Sequence, residues 1–340
     1  MQKVDYTFPE KTVSIFFGGD FSYLEKSFPN KSLILLTDDN VHSLHKEKFS
    51  DKKVIILPSG EKFKQQSTVD GVIDQLIVLN ADRNIILVGV GGGVVTDITG
   101  YVASVYLRGI SFCLIPTTIL AMVDAAIGGK NGVDVGVYKN IVGTVKQPEL
   151  LIYDYSLLAS LPMSEWINGF AEIIKHACIK DAELFNQLEK TTLEELKSNP
   201  AEMDLLIQKN VHIKLQVVLS DPFEKGDRRL LNFGHTIGHA IENIYELPHG
   251  YAVSIGMVEA CKMSRACNDL SEIDAERISG LLKKYHLPVQ FKFDTLQVRE
   301  MLIHDKKRVG NEILEIVLNG IGNALIIPVK LDDFIADILP

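Results

Sequence analysis

The stretch Asn84-Ile85-Ile86-Leu87-Val88-Gly89-Val90-Gly91-Gly92-Gly93-Val94-Val95-Thr96-Asp97 carries the clearest fold signal in the sequence. Its residues 84–90 form a nearly continuous apolar run, which is typical of a parallel strand covered on both faces. Three glycines follow, and the spacing of apolar residues over 94–107 then predicts a helix. A strand, a glycine-rich turn and a helix in this order predict one unit of a parallel α/β sheet.

The same alternation continues on both sides of this unit. We predict strands over residues 32–37, 53–57 and 111–116, and a helix over residues 66–80. Because these strands alternate with helices and end in polar or glycine-rich residues, they predict a parallel sheet that binds ligands at its carboxyl ends.

After about residue 160 the pattern becomes helical, with prolines between the segments. Helices are predicted over residues 164–178, 182–197, 201–219, 228–245, 250–268, 272–286 and 295–304. A strand pair, residues 313–318 and 324–327, follows around Asn319-Gly320. We therefore predict an α/β domain over residues 1–160 and a mostly helical domain over residues 161–340.

The composition is that of an ordinary globular protein, because 46% of the 340 residues are hydrophobic and 23% are charged. The net charge of -9 argues against nucleic acid as a general partner. We expect no membrane span, since no apolar run reaches about 18 residues, and no secretory signal. The four cysteines are predicted to be buried free thiols in a reducing cytoplasm: Cys113, Cys178, Cys261 and Cys267.

The glycine-rich turn, Gly91-Gly92-Gly93, has two interpretations. Glycines before a helix let a pyrophosphate approach unpaired backbone amides at the positive end of the helix dipole. However, Thr96 stands where the usual dinucleotide-binding pattern has glycine, and a plain tight turn fits as well. Asp38, just after an earlier strand, could accept hydrogen bonds from ribose hydroxyls or could cap a helix.

A second dense polar stretch extends from Pro116 to Asn140. It contains Thr117-Thr118, Asp124, Gly128-Gly129-Lys130 and Lys139-Asn140, and Arg108-Gly109 lies just before it. Two glycines before a lysine form a backbone nest beside a cation, which suits an anion. A single loop lysine is usually only a surface charge, but several cations beside glycines indicate an anionic ligand.

Residues 228–242 read as a helix with a polar stripe. Four side chains recur at helical spacing and are expected on one face: Arg228, Asn232, His235 and His239. Burying such a face is costly unless a ligand satisfies it, and a metal with an anionic substrate would do so. A solvated helix face with surface histidines is the alternative.

The sequence offers several carboxylate and imidazole side chains as metal ligands. Glu172 lies in a mostly apolar helix, where a buried ion pair with Lys175 is the alternative to metal binding. One carboxylate and two imidazoles would leave an open position on Zn²⁺ or a similar ion, as catalytic sites do. Spacing alone leaves five candidates for three ligands: Glu172, His176, His235, His239 and His249.

Together these motifs resemble the 3-dehydroquinate synthase family, in the family's order, from about residue 32 to about residue 328. The motifs are Gly91-Gly92-Gly93-Val94-Val95-x-Asp97, Leu107-Arg108-Gly109-Ile110, Pro116-Thr117-Thr118, Val123-Asp124, Gly128-Gly129-Lys130-x-Gly132, Lys139-Asn140, Ala171-Glu172-Ile173-Ile174-Lys175, Asn232-Phe233-Gly234-His235-Thr236-Ile237-Gly238-His239-Ala240-Ile241-Glu242, His249-Gly250 and Asp305-Lys306-Lys307. In combination they are highly specific.

The resemblance implies an N-terminal Rossmann-like NAD-binding domain with a parallel sheet. It also implies a mostly helical C-terminal domain that holds a divalent metal, Zn²⁺ or Co²⁺. The implied reaction converts 3-deoxy-D-arabino-heptulosonate 7-phosphate to 3-dehydroquinate and phosphate, a step of the shikimate pathway towards aromatic amino acids. It comprises an oxidation, loss of phosphate, a reduction, a ring opening and an aldol closure, so NAD⁺ is not consumed. A cytoplasmic homodimer is implied as well.

Site residues also follow from the resemblance. It assigns the metal to Glu172, His235 and His249, and it makes His239 an acid–base or hydrogen-bonding group. Substrate contacts match Asp124, Lys130, Lys175, Lys214, Arg228, Asn232 and one of Lys306 and Lys307, with Glu224 as an acidic residue near the site. Arg108 matches an arginine that reaches the phosphate site of the partner subunit. NAD contacts match Asp38, Asn40, Glu61, Lys64, Gly92, Gly93, Asp97, Thr117, Thr118 and Lys139.

Three positions depart from the family pattern. Thr96 replaces a glycine, Asn131 replaces a threonine, and Ser164 replaces an arginine. Thr96 and Ser164 fall on the cofactor side of the family pattern, so these two replacements bear on the contacts with NAD. None of the three is an implied metal ligand.

Three other functions fit part of the sequence. Another sugar phosphate cyclase of this fold, making an inosose or a valiolone, would share the metal and NAD sites but differ at substrate contacts. A metal-dependent polyol dehydrogenase would release NADH, whereas a cyclase would not. A non-catalytic metal-binding or scaffold protein would not need so many cations. Arg228, Asn232, His239 and the run Asp305-Lys306-Lys307 favour the dehydroquinate reaction.

Overall fold

The computed structural model describes residues 1–136, 138–267, 270–303, 308–309, 312–330 and 334. The chain divides into two compact units, Met1–Trp166 and Ile167–Pro340. Among the described residues, no helix has the length and apolar character needed to cross a membrane.

The first unit is built on a seven-stranded sheet and a separate hairpin. Its strands are β1 (Gln2–Thr7), β2 (Thr12–Phe17), β3 (Leu33–Asp38), β4 (Lys53–Leu57), β5 (Ile86–Gly91), β6 (Ser111–Pro116), β7 (Lys130–Val135), β8 (Tyr138–Val145) and β9 (Leu150–Tyr153). The sheet order is β1-β2-β9-β6-β5-β3-β4. Strand β1 pairs antiparallel with β2, and the other neighbours in this sheet are parallel. Strands β7 and β8 form the antiparallel hairpin.

Helices connect these strands, as a parallel sheet requires. They are α1 (Ser22–Ser27), α2 (Asp39–Leu44), α3 (Lys46–Phe49), α4 (Gln66–Val78) and α5 (Gly93–Val105). Short 3₁₀ segments cover Glu61–Phe63, Tyr106–Arg108 and Tyr155–Ser160, and Ala121–Ala125 is π-helical.

Strand β5 and helix α5 form the centre of the first unit. All six residues of β5 are buried. A Cβ atom at Gly89 would lie 2.3 Å from Thr99 Oγ1, so glycine lets α5 pack directly on the strand. Gly91 of β5 pairs with Pro116 of β6, and β3 is hydrogen-bonded to the other side of β5. The carboxyl ends of β3, β5 and β6 therefore lie side by side.

The second unit is mostly helical. Its helices are α6 (Met163–Lys180, whose first turn precedes the unit boundary), α7 (Ala182–Lys190), α8 (Leu193–Ser198), α9 (Pro200–Ser220), α10 (His235–Tyr245), α11 (His249–Cys267), α12 (Glu272–Lys284) and α13 (Thr295–Ile303). A 3₁₀ segment covers Asp227–Asn232. Strands β10 (Arg308–Val309), β11 (Glu312–Leu318) and β12 (Ala324–Lys330) form an antiparallel sheet.

Helices α10 and α11 pack closely because glycines line their contact. A Cβ atom at Gly256 would lie 1.9 Å from the carbonyl oxygen of Gly234, and one at Gly238 would lie 3.2 Å from that of Ala252. Ile237 and Ile241 of α10 share an apolar core with residues of α11, α13 and β11. This packing fixes the positions of the polar residues on both helices.

The predicted fold class, a parallel α/β domain followed by a mostly helical domain, is confirmed. Most predicted elements agree with the structure within two residues at each end. The pattern did not predict β1, β2, β9 or the β7–β8 hairpin; β1 and β8 are largely exposed and therefore lack a continuous apolar run.

Two predictions, one about a helix and one about a cysteine, were wrong. Residues 182–197 form two helices, because Thr192 and Glu195 form a capping box that starts α8. Cys267 is exposed rather than buried, since it lies in the last turn of α11, whereas Cys113, Cys178 and Cys261 are buried; all four are free thiols.

Candidate active site

The glycine-rich turn joins β5 to α5 at the carboxyl edge of the sheet. Gly92 is the N-cap residue of α5 and has no side chain to bond the first helical amides. A Cβ atom there would lie 3.1 Å from Thr118 Cγ2, so the glycine keeps this space open. Thr117 Oγ1 is buried and has no hydrogen-bond partner within the described part of the chain. Free amides at a helix N-terminus beside an unsatisfied hydroxyl suit a phosphate-bearing cofactor.

A network of charged side chains surrounds the start of α5. Lys64 Nζ lies 2.5 Å from Asp97 Oδ2 and donates to Asn140 Oδ1 at 2.6 Å. Lys139 Nζ lies 3.0 Å from Glu61 Oε1. Burial alone would lower the pKa of Lys64, but Asp97, Glu61 and Asp134 outweigh it and raise that pKa well above its usual range. The structure thus brings Glu61, Lys64, Asp97 and Lys139 together around one turn.

Asp38 ends β3 at the same sheet edge. Its Oδ1 accepts a hydrogen bond from the Val41 amide at 2.9 Å, so it caps α2. Burial raises the pKa of Asp38, although its backbone hydrogen bonds act in the opposite direction. Asn40 lies in the first turn of α2 and is exposed.

Two of the three departures from the family pattern have a local explanation. Thr96 is buried and its hydroxyl donates to the Gly93 carbonyl at 2.9 Å, within the first turn of α5. Asn131 is buried and donates to the carbonyl oxygens of Gly129 and Lys146. Ser164 is exposed in the first turn of α6, and nothing in the structure explains that replacement.

The predicted anion-binding stretch lies in turns and short segments of the first unit. Gly128 and Gly129 both have positive φ, and exposed Lys130 follows them at the start of β7. Asp124 is half-buried in the π-helical turn. Arg108 is exposed with a φ of 62°, next to Leu107 with a φ of 49°. Two successive non-glycine residues with positive φ are uncommon and mark a strained turn.

Three side chains of the second unit converge as a metal-binding set. Atoms of Glu172, His235 and His249 all lie within 4.8 Å of one another. His235 Nε2 lies 3.6 Å and His249 Nε2 lies 3.4 Å from Glu172 Oε1. Glu172 comes from α6, His235 starts α10 and His249 starts α11. One carboxylate and two imidazoles are suitable ligands for Zn²⁺ or Co²⁺ and leave positions open for a substrate.

Both histidines of this set are oriented through their second ring nitrogen. His235 Nδ1 lies 3.1 Å from the carbonyl oxygen of Phe233, and His249 Nδ1 lies 3.1 Å from Glu242 Oε2. Burial lowers the pKa of His249, but Glu242 and Glu172 outweigh it and raise that pKa to about 10. The site therefore favours a positive charge at this position, which a divalent cation would supply.

The other two candidate histidines are placed differently. His176 is buried, and its Nδ1 lies 3.2 Å from Asn210 Oδ1. The ring of His239 lies 4.9 Å from that of His235 and 6.0 Å from that of His249. His239 also forms a second candidate ligand group with Glu242 and His249, but this group shares His249 with the set of Glu172, His235 and His249. His239 is half-buried beside the set rather than at its centre.

The predicted continuous helix over residues 228–245 is wrong. Helix α10 begins only at His235, and Arg228 and Asn232 belong to the preceding 3₁₀ segment. The break falls at Gly234, which has a φ of 75°. A Cβ atom there would lie 2.6 Å from Met257 Cγ, so the close approach of α11 also requires glycine. The four polar residues are therefore not one helical stripe.

Other predicted substrate contacts of the second unit are mostly buried. Lys214 and Arg228 are 6% and 3% exposed, and Lys175 forms an ion pair with Glu172. Asn232 Nδ2 donates to Glu224 Oε1 at 2.7 Å. Buried cations are costly without an anionic partner or ligand. Lys306 and Lys307 lie outside the described residues.

Sequence reasoning assigned no role to two acidic residues, Glu242 and Asp221. Glu242 bonds His249, and its position seven residues after His235 on one helix could have indicated a shared face. Asp221 ends α9 and accepts hydrogen bonds from three backbone amides of the following loop. No spacing rule would have found it, because its partners are main-chain groups.

Comparison with known proteins defines the class first. The fold matches a 2-epi-5-epi-valiolone synthase from Streptomyces hygroscopicus subsp. jinggangensis 5008 with NAD⁺ and Zn²⁺ bound (TM-score 0.88, 28% identity, 98% of each chain). It also matches a 2-deoxy-scyllo-inosose synthase complexed with carbaglucose-6-phosphate, NAD⁺ and Co²⁺ (TM-score 0.87, 26% identity, 99% of each chain). The fold is therefore that of the sugar phosphate cyclases.

Sequence comparison gives the family. Residues 54–168 match the family described as 3-dehydroquinate synthase N-terminal, and residues 169–308 match 3-dehydroquinate synthase C-terminal. A 3-dehydroquinate synthase from Campylobacter concisus (strain 13826) is 40% identical over 302 residues, covering 86% of each chain. The chain belongs to the 3-dehydroquinate synthase family.

Proposed function

We propose that this chain is a 3-dehydroquinate synthase, a lyase that converts 3-deoxy-D-arabino-heptulosonate 7-phosphate to 3-dehydroquinate and phosphate. The observation that carries the proposal is the convergence of Glu172, His235 and His249 in a chain of this family. We further propose NAD⁺ and one divalent metal, Zn²⁺ or Co²⁺, as its cofactors. When bound, NAD⁺ accepts and returns a hydride, and the metal polarises substrate oxygens.

Glu172, His235 and His249 are the proposed metal ligands. The donor set fits because it combines one carboxylate with two imidazoles, each imidazole being oriented by an acceptor at its other nitrogen. His239, beside this set, is proposed to hold or move a proton on the substrate. An imidazole is suited to that role because its pKa lies near neutral pH.

The glycine-rich turn is the proposed NAD site. Its fit rests on the backbone of Gly92 and Gly93, which no side chain of their own covers, the unsatisfied Thr117 hydroxyl and the uncapped start of α5. The remaining proposed contacts lie around that turn or at the neighbouring strand ends: Asp38, Asn40, Glu61, Lys64, Asp97, Thr118 and Lys139.

Cations and amides are proposed to hold the substrate. Guanidinium and ammonium groups match a phosphate and a carboxylate, even though the chain as a whole is acidic. The proposed contacts are Asp124, Lys130, Lys175, Lys214, Arg228, Asn232 and one of Lys306 and Lys307, with Glu224 supporting Asn232. Positioning of this kind can supply about 7–11 kcal/mol of a reaction barrier.

We also propose a homodimer in which Arg108 reaches the substrate phosphate of the neighbouring subunit. Arg108 is exposed and lies in a strained turn, which supports a functional rather than a purely structural role for its side chain. A cytoplasmic location is proposed as well, and the four free thiols are consistent with it because reducing compartments preserve thiols.

The test is incubation with the seven-carbon phosphate, NAD⁺ and Zn²⁺ or Co²⁺. We expect release of inorganic phosphate without net formation of NADH, and a product that a 3-dehydroquinate dehydratase converts to an absorbing enone. Phosphate release with a different cyclic product would indicate an inosose or valiolone synthase, as in the two structural relatives. Net NADH formation would indicate a polyol dehydrogenase.

A further inference from the structure

Asp221 is the C-cap residue of helix α9, and it closes the loop that leads to Arg228. Its Oδ1 accepts from the Lys225 amide at 2.9 Å, and its Oδ2 accepts from the amides of Gly226 and Arg228 at 2.7 and 3.2 Å. The Asp221 carbonyl oxygen also accepts from the Glu224 amide at 3.3 Å. One half-buried carboxylate therefore bonds three amides across seven residues of chain.

The loop closed in this way carries side chains of the proposed substrate site. Glu224 has a φ of 58°, and its Oε1 accepts from Asn232 Nδ2 at 2.7 Å. The Arg228 guanidinium donates to the Pro222 carbonyl at 2.7 Å. Both contacts require the loop to remain folded back on the 3₁₀ segment.

The electrostatics keep the carboxylate ionised. Burial alone would raise the pKa of Asp221, but its three amide hydrogen bonds and nearby Arg228 lower it below its usual value. Hydrogen bonds from amides to an ionised carboxylate are among the stronger ones in proteins. Protonation of Asp221 therefore does not disrupt these hydrogen bonds in the neutral pH range.

We infer that Asp221 is a positioning residue: through the three amide bonds it sets Arg228 and the Glu224–Asn232 pair for substrate binding. This inference rests on the proposed function, since that function assigns Arg228 and Asn232 to the substrate. The hydrogen bonds described for Asp221 lie within residues 221–228, a segment that contains neither the proposed metal ligands nor the proposed cofactor turn. Its effect should therefore appear in the use of substrate and not in cofactor binding.

The test compares Asp221→Ala with Asp181→Ala. Asp181 is a matched control in the same unit, because it is also half-buried and also bonds a backbone amide. It is the N-cap residue of α7, and its Oδ1 accepts a hydrogen bond from the Leu184 amide at 2.8 Å. Hydrogen exchange read at the amides of Lys225, Gly226 and Arg228 reports loop closure without any activity. We expect exchange there to accelerate at least about tenfold in Asp221→Ala and to be unchanged in Asp181→Ala.

Turnover tests the functional half of the inference. We expect kcat/KM for the seven-carbon phosphate to fall by about 100-fold in Asp221→Ala, with metal content and NAD⁺ affinity unchanged, because small displacements of positioning groups have effects of that size. Asp221→Asn keeps one acceptor oxygen and should recover part of the loss. In an Arg228→Ala background, Asp221→Ala should cause a smaller further loss, because the part of its effect that is exerted through Arg228 is already gone.

Each contrary outcome has a distinct meaning. If exchange accelerates but kcat/KM stays at the wild-type value, or if Asp181→Ala lowers it equally, Asp221 is only structural and the inference is overturned. Unchanged exchange in Asp221→Ala overturns it as well. If the wild-type chain releases no phosphate at all, the proposed function fails, and the substrate role of the loop fails with it.

Discussion

His249 Nδ1 lies 3.1 Å from Glu242 Oε2, and the opposite ring nitrogen lies 3.4 Å from Glu172 Oε1. The imidazole is thus held between two carboxylates that come from different helices, α10 and α6. A carboxylate behind a histidine fixes the orientation of its ring and makes the other nitrogen a better metal ligand. The contact between α10 and α11 is therefore part of the proposed metal site.

Replacement of Glu242 by glutamine should weaken metal binding without removing a ligand. We expect the affinity for Zn²⁺ or Co²⁺ to fall by about 10–100-fold, which is typical for loss of an outer carboxylate. A competition titration against a chelator measures it. Glu259→Gln is the control, since Glu259 is also a largely buried acid, on α11, but pairs with Lys262. Equal affinities in the two variants would contradict the assigned role of Glu242.

The two histidines of α10 should separate metal binding from proton transfer. His235→Ala should lose both the metal and turnover, because His235 lies within the converging set. His239→Ala should keep the metal and lose about 10²–10⁴-fold in kcat, the usual size of an acid–base contribution. Elemental analysis after dialysis, paired with phosphate release, distinguishes them. Loss of metal in His239→Ala would show that the ligand assignment is wrong.

Much of the first unit could be predicted from the sequence, because buried parallel strands are continuous apolar runs. Strand β5 is buried along its whole length, and the glycines after it marked the turn to α5. Strand β1 could not be found this way, since most of it is exposed and its stability depends on pairing with β2. Pattern reasoning detects long buried runs, whereas it missed the short buried strand β9 and does not detect strand pairing.

The metal set shows where pattern reasoning stops. Spacing along the sequence left five candidate ligands, because it does not show which residues that lie far apart in the chain come together on folding. The structure brings Glu172 from α6 to the starts of α10 and α11. A helical reading of residues 228–245 failed at Gly234, whose positive φ is set by the packing of α11 and not by its immediate sequence. Tertiary contacts decided both points.

Lys64→Met should weaken NAD⁺ binding. Lys64 bridges Asp97 and Asn140, so its loss leaves Asp97 uncompensated beside the turn proposed for the cofactor. We expect the Kd for NAD⁺ to rise about tenfold, which corresponds to about 1.4 kcal/mol. Calorimetric titration measures it. Lys48→Met is the control, because Lys48 pairs with the buried Asp154 of the same unit. A Kd within twofold of wild type would count against the role of Lys64.

Lys64 also predicts how NAD⁺ affinity depends on pH. Its pKa is raised in the folded state, so its charge and its pairing with Asp97 are fully present below its usual pKa. The charge and the ion pair are lost only as the pH rises through the raised pKa of the folded state, in strongly alkaline solution. We expect no change in the Kd for NAD⁺ from this group between about pH 6 and pH 9. A Kd that rises across that range in wild type but not in Lys64→Met would contradict the assignment.

The proposed dimer contact of Arg108 can be tested by mixing two inactive variants. The turn that presents Arg108 is fixed by Lys146, whose ammonium donates to the carbonyl oxygens of Ala103 at 2.8 Å and Ile110 at 2.6 Å. Arg108→Ala and Arg228→Ala should each lose most activity alone. If Arg108 acts on the neighbouring subunit, a mixed dimer keeps one intact site. Random exchange of equal amounts should then restore up to about one quarter of wild-type activity.

The measurement is phosphate release after the two variants are unfolded together and refolded, compared with each variant refolded alone. Lys11→Ala mixed with Arg228→Ala serves as the control for refolding, since Lys11 pairs with Glu149 at the far end of the strands, and different affinity tags on the two variants measure the fraction of mixed dimers. In that mixture the Lys11→Ala subunits keep both Arg108 and Arg228. The mixture should therefore be active whether Arg108 acts in its own subunit or in the neighbouring one. Recovery there, with mixed dimers present but no recovery in the Arg108→Ala mixture, would place Arg108 in its own subunit's site, because every mixed dimer would then lack a complete site.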